Sequence, residues 1–113
     1  MDITRQNGTL SVAGIRELNS ANAHSFRSAI ATAMSHDLQT IEIDLSQTQI
    51  VDGTGLGALV SLYETANKDA SREGVAFRLK NPRPAVQQMI ELARLHYLFE
   101  IAPPAGTPDD ALP

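Results

Sequence analysis

The chain reads as a single α/β domain, a partly parallel β-sheet covered by helices. Three observations predict it. Short runs rich in β-branched residues, such as TIEIDL and VAFRL, alternate with longer stretches whose apolar residues recur at helical spacing. The order of these segments makes strand-helix-strand units, which pair their strands in parallel. The length, 113 residues, suits one hydrophobic core.

The elements follow in order. Residues 2 to 13, DITRQNGTLSVA, predict a hairpin: Ile3 and Arg5 alternate with polar neighbours, Asn7-Gly8 is a two-residue turn, and Leu10 and Val12 alternate again. Asn19 or Ser20 offers an N-cap to a helix expected from about Ala21 to Ser35. Its buried face is Phe26, Ala29, Ile30, Ala33 and Met34. Thr40 to Leu45 is a strand with Ile41, Ile43 and Leu45 on one face. A second helix begins after DGTG, with Leu56, Leu59, Val60, Tyr63, Ala66 and Ala70 at helical spacing, and Gly74 is placed to end it in a left-handed conformation. Val75 to Leu79 is a strand, broken by Asn81-Pro82-Arg83-Pro84. Pro84 suits the first turn of a third helix, whose stripe is Val86, Met89, Ile90 and Ala93. Leu98, Phe99 and Ile101 are expected to return to the core, which gives the order β-β-α-β-α-β-α. From Pro103 the segment PPAGTPDDALP has no periodicity and is expected to be a mobile tail, so the domain is taken as residues 1 to 102 and the tail as 103 to 113.

Composition excludes several function classes. A net charge of −4 gives no basic face for nucleic acid. With no cysteine, disulfides, thiolate metal sites and cysteine nucleophiles are ruled out. The opening MDITRQNGTLSV lacks the pattern of a signal peptide, and no apolar run reaches the length of a membrane span, so a cytoplasmic protein without membrane insertion is expected. His24, His36 and His96 form no HxxxH or HExxH pattern, Asp44 and Asp52 give no paired-carboxylate signature, and no GxSxG elbow occurs. The expectation is therefore a protein that is not an enzyme and holds no metal or cofactor.

The informative stretch is IEIDLSQTQIVDGTGLGALVSLYETA, residues 41 to 66. Its spacing, Gly53-Thr54-Gly55-Leu56-Gly57, matches neither GxGxxG nor GxxxxGK[ST]. The glycines either permit a tight strand-to-helix turn and close packing, or keep the turn bare. Thr54 sits at or next to the N-cap of the helix opened by Leu56. It either caps that helix or stands exposed for recognition, and the local sequence leaves both open.

This stretch resembles the STAS family, which includes bacterial anti-sigma factor antagonists and the cytoplasmic tails of sulfate transporters. The family pattern is a strand ending D-L-S, a short loop, then D-S-[ST]-G-L-G-x-L opening a helix. A second match is VAFRLKNPRPAVQQMIELARLHYLFEI, similar to the family's strand, N-x-x-P-x-V turn, amphipathic helix and closing L-x-x-x-F-x-I. The resemblance runs from Asp2 to about Ala102. It implies a sheet with helices packed mainly on one face, and a protein-binding surface at the start of the second helix. Thr54 falls on the residue that a partner kinase, itself the anti-sigma factor, phosphorylates in the antagonists. The resemblance places Asp52, Gly53, Gly55, Leu56, Gly57 and Ser46 on the partner-binding surface around it. Gly53 departs from the family's usual serine, leaving one hydroxyl. The implied function is a non-catalytic binding module switched by phosphorylation of Thr54. Its implied partners are a serine/threonine kinase-type anti-sigma factor and a serine phosphatase. The alternative is a STAS subunit of a phospholipid-transport ABC system that docks on its ATPase through the same surface.

Overall fold

The computed structural model describes residues 1–35, 37–68 and 74–102. Strands β1 (Asp2–Gln6) and β2 (Thr9–Ala13) form the expected hairpin, with Ile3 opposite Val12 and Arg5 opposite Leu10. Asn7 and Gly8 both take positive φ, 53° and 79°, as a type I′ hairpin turn requires. The chain then makes β3 (Glu17–Leu18), α1 (Ala23–Ala33), β4 (Thr40–Asp44), β5 (Ile50–Val51), α2 (Gly53–Ala66), β6 (Ala76–Lys80), α3 (Pro84–Leu92), a 3-10 turn (Leu95–Tyr97) and β7 (Glu100–Ala102).

Five strands form one mixed sheet in the order β1-β2-β4-β6-β7, antiparallel only between β1 and β2. Pleating sends alternate side chains to opposite faces. Leu10, Val12, Ile41, Ile43, Phe77 and Leu79 are buried on one face, in the same core as Phe26 and Ile30 of α1, Leu59 and Leu62 of α2, and Val86 and Ile90 of α3. The other face is polar. There Arg78 bridges Glu42 (3.2 Å) and Glu100 (3.1 Å) across three neighbouring strands, and Lys80 lies 3.9 Å from Glu42. Hydrogen bonds to Glu100 and then Glu42 hold the Arg78 pKa above its ordinary value. A partly parallel sheet carrying its helices on one side is thus the architecture, as the sequence predicts.

The structure corrects several details. Helix α1 starts two residues later than expected, after Asn22 rather than Asn19 or Ser20, because Asn19 is used in the preceding turn. The Asn19 carbonyl accepts from the N–H groups of Asn22 (3.1 Å) and Ala23 (2.8 Å), and its side chain accepts from Ala21 (2.9 Å). Helix α2 ends at Ala66, and Gly74 is not in the left-handed region. Asn67 takes over there: its side chain donates to the Tyr63 carbonyl (3.0 Å) and accepts from Val75 N–H (2.7 Å), tying the helix end to β6. A side chain at position 74 would meet the Asn67 oxygen at 2.8 Å. Ala93 is exposed, because Arg94 turns left-handed (φ 60°) and ends the α3 stripe at Ile90. Leu98 is 40% exposed, whereas Phe99 is buried against Phe77 and Tyr63. Strand β7, beside β6, is an element the sequence pattern does not predict. Ala70, His36 and the tail from Pro103 lie outside the described residues.

Candidate partner-binding site

A second, two-stranded sheet sets the position of the DGTG turn. β3 and β5 pair in parallel, Glu17 opposite Ile50 and Leu18 opposite Val51. The loop between β4 and β5 is pinned from below by Thr48, which is fully buried and donates its hydroxyl to the Ile15 carbonyl at 2.6 Å. Gln49 N–H donates to Arg16 (2.8 Å) and Asp52 N–H to Leu18 (3.1 Å). These bonds carry the chain to the start of α2 in one fixed geometry.

Asp52 is the N-cap. Its extended backbone (φ −100°, ψ −177°) lets one carboxylate oxygen accept from Gly55 N–H at 2.8 Å. The other accepts from Ser20 N–H at 3.3 Å, joining the α2 terminus to the turn before α1. With Asp52 as cap, Thr54 is the second helical residue and does not cap. Of the two readings the sequence left open for Thr54, capping is thereby removed. Thr54 is exposed, and among the described residues no hydrogen bond engages its hydroxyl.

The three glycines divide by what surrounds them. A Cβ at Gly55 would lie 2.3 Å from the Leu18 carbonyl oxygen and 2.9 Å from its carbon, a backbone contact that only glycine tolerates. At Gly53 and Gly57 a Cβ would have nothing within 4 Å. None of the three has positive φ. Gly55 is therefore required by packing, while Gly53 and Gly57 leave the surface on either side of Thr54 uncovered.

Leu56 is 7% exposed and belongs to the core. Ser46 lies in a turn beyond β4, where its N–H donates to the Asp44 carboxylate (2.8 Å) and its carbonyl accepts from Arg83 (2.9 Å). Thr54 and Gly57 instead line a shallow groove between α1 and α2, together with Ala23, His24, Arg27, Ala58 and Ser61, of about 380 Å³. Ser46 is not among its walls. Sequence reasoning missed Arg27 and Ile50. Arg27 and His24 are three residues apart on one helix face, a basic pair the sequence could have offered. Ile50 is 58% exposed two residues before Asp52, an apolar side chain left in water. Among the described residues no group of histidines and carboxylates is arranged to hold a metal, and no helix is long and apolar enough to cross a membrane.

The model of the STAS domain matches residues 1–108. The chain belongs to the STAS family. By sequence alone it matches no curated protein. Solved structures share its fold. A putative anti-sigma factor antagonist from Thermotoga maritima superposes with a TM-score of 0.77 at 20% identity, covering 97% of this chain and 92% of that one. An anti-sigma factor antagonist from Mycobacterium paratuberculosis gives 0.75 at 24% identity, covering 96% and 86%. The Bacillus cell fate determinant SpoIIAA, in its phosphorylated form, gives 0.67 at 18% identity and 98% coverage of both chains.

Proposed function

We propose that this STAS domain is a non-catalytic protein-binding module of the anti-sigma factor antagonist type, switched by phosphorylation of Thr54. The observation that supports it most is the Thr54 hydroxyl itself. It stands exposed at a helix start, free of the capping duty that Asp52 performs, between two glycines that cover nothing. A side chain needed for the fold would be bonded or buried. In this reading a partner kinase, which is also the anti-sigma factor, transfers the γ-phosphoryl group of ATP to Thr54 Oγ1. ADP leaves, and the hydroxyl proton goes to solvent or a kinase base.

The added charge of about −1.5 to −2 sits at the positive end of the α2 dipole, which favours it, so the fold survives modification. The partner's surface, fitted to a bare turn, meets a bulky dianion instead and loses affinity. Ile50, exposed on β5 two residues before the cap, offers the partner an apolar contact, and a serine phosphatase resets the switch. The module works in the cytoplasm, in transcriptional control of a bacterium. The second reading, docking of a STAS subunit on an ABC transporter ATPase, uses the same free hydroxyl as a direct contact and needs no kinase.

Intact-mass measurement with the kinase-type ATPase encoded nearest the gene tests the proposal. The expected result is one phosphate per chain, on Thr54, absent from Thr54→Ala. A phosphate on Ser46 or Ser61 with Thr54 unmodified contradicts it.

A further inference from the structure

Across the groove that Thr54 lines stands a cation with no counter-ion among the described residues. Arg27 of α1 lines the groove with His24, and among the described residues no carboxylate lies within ion-pair distance of it. Among the described residues its guanidinium makes only weak contacts, 3.4 Å to the Ser61 hydroxyl and 3.5 Å to His24 Nδ1. Both fall beyond the 2.7–3.2 Å typical of N–H donors, so little holds it in place. On α2 the groove wall runs Thr54, Gly57, Ala58, Ser61, so Thr54 is about 10.5 Å, two turns, above Ser61 along the axis. Between them Gly57 presents no side chain and Ala58 only a methyl group. On the α2 wall, no large side chain stands between Ser61, which Arg27 contacts, and Thr54.

We infer that Arg27 captures the phosphoryl group when Thr54 is modified, an intramolecular clamp formed across the α1/α2 groove. The inference rests on Thr54 being the phosphoacceptor, and adds what the phosphate does within this chain. Guanidinium suits a phosphate dianion because its planar fork matches two oxygens at once. His24 adjoins the same groove and supplies a further donor. The carboxylate of Asp52 is turned to the backbone N–H groups of Gly55 and Ser20, and Asp52 is not among the residues that line the groove. Phosphorylation then changes shape as well as charge. Arg27 leaves Ser61, the mouth of the groove closes, and a partner side chain that enters it is excluded even where high salt screens the phosphate.

The test installs phosphothreonine at position 54 by ribosomal incorporation, so that it does not depend on any kinase. The ³¹P chemical shift is then titrated against pH in the parent protein, Arg27→Gln and Arg27→Lys. Arg27 is exposed, so the variants are expected to keep the fold, which amide NMR spectra check in the same samples. An arginine clamp stabilises the dianion, so the second ionisation in the parent should fall below that of Arg27→Gln by about 0.5 unit or more. Arg27→Lys should recover part of the shift. A merely structural role for Arg27 would move the melting temperature and leave the ³¹P midpoint unchanged. Equal midpoints in the parent and Arg27→Gln overturn the clamp. The intact-mass assay with the kinase reports separately on whether Thr54 is the natural acceptor, so failure of one result is not failure of the other.

Discussion

Two alanine substitutions only two residues apart in α2, at Gly55 and Gly57, should move stability in opposite directions. In Gly55→Ala the new Cβ lands 2.3 Å from the Leu18 carbonyl oxygen, about 1 Å inside ordinary contact. That oxygen belongs to β3, accepts from Asp52 N–H, and cannot rotate away as a flexible side chain would. Relief requires α2 to move off β3. Overpacking of this kind costs about 1–3 kcal/mol, and a backbone obstacle belongs at the upper end. Weakening the Asp52–Leu18 hydrogen bond adds about 1 kcal/mol, and the better helix propensity of alanine returns about 1 kcal/mol. The net is about 3 kcal/mol, which lowers the melting temperature of a domain this size by about 12 °C or more. Gly57→Ala meets nothing within 4 Å and keeps only the propensity gain of about 0.5–1 kcal/mol, so it should melt higher. Urea and thermal unfolding of the two variants beside the parent check both numbers. Parent-like stability of Gly55→Ala, or a shift of the same sign in both variants, would refute the packing role of Gly55.

Asp52→Ala should lose about 0.5–2 kcal/mol, the range for a removed N-cap, whereas Thr54→Ala should stay within about 0.5 kcal/mol of the parent; chemical denaturation of both separates the cap from the free hydroxyl. Thr48→Val deletes the buried donor to Ile15 and leaves that carbonyl unsatisfied, at a cost of about 1–3 kcal/mol by the same assay. Ile50→Asp should leave stability nearly unchanged, because the side chain is already in water, yet weaken partner binding measured by calorimetry.

Period and turn chemistry made the large elements legible. Alternation at Ile41, Ile43 and Leu45 placed the central strand, Asn7-Gly8 fixed the hairpin, and Pro84 marked the start of α3. Strands β3 and β5 have two residues each, too few for any period to show, and yet their pairing positions the turn that carries Thr54. Gly55 and Gly57 look alike in the sequence. Only the Leu18 carbonyl, 37 residues earlier than Gly55 in the chain, distinguishes the glycine demanded by packing from the one that leaves a groove open. Asp52 and Thr54 both are residue types that cap helices. Which of them does so depends on where the helix begins, the feature that spacing of apolar residues locates least well. His24 and Arg27 are visible in the sequence as a basic pair on one helix face, but that they share a groove with Thr54 depends on α1 packing beside α2, a tertiary fact.

The central claim is that the partner reads the state of the Thr54 hydroxyl. The most direct test is the affinity of the proposed kinase-type partner for this domain, measured by calorimetry with Thr54 unmodified and with Thr54 fully phosphorylated. The account predicts at least a tenfold loss on phosphorylation, about 1.4 kcal/mol, with the fold intact by circular dichroism. Equal affinity for the two forms would contradict it.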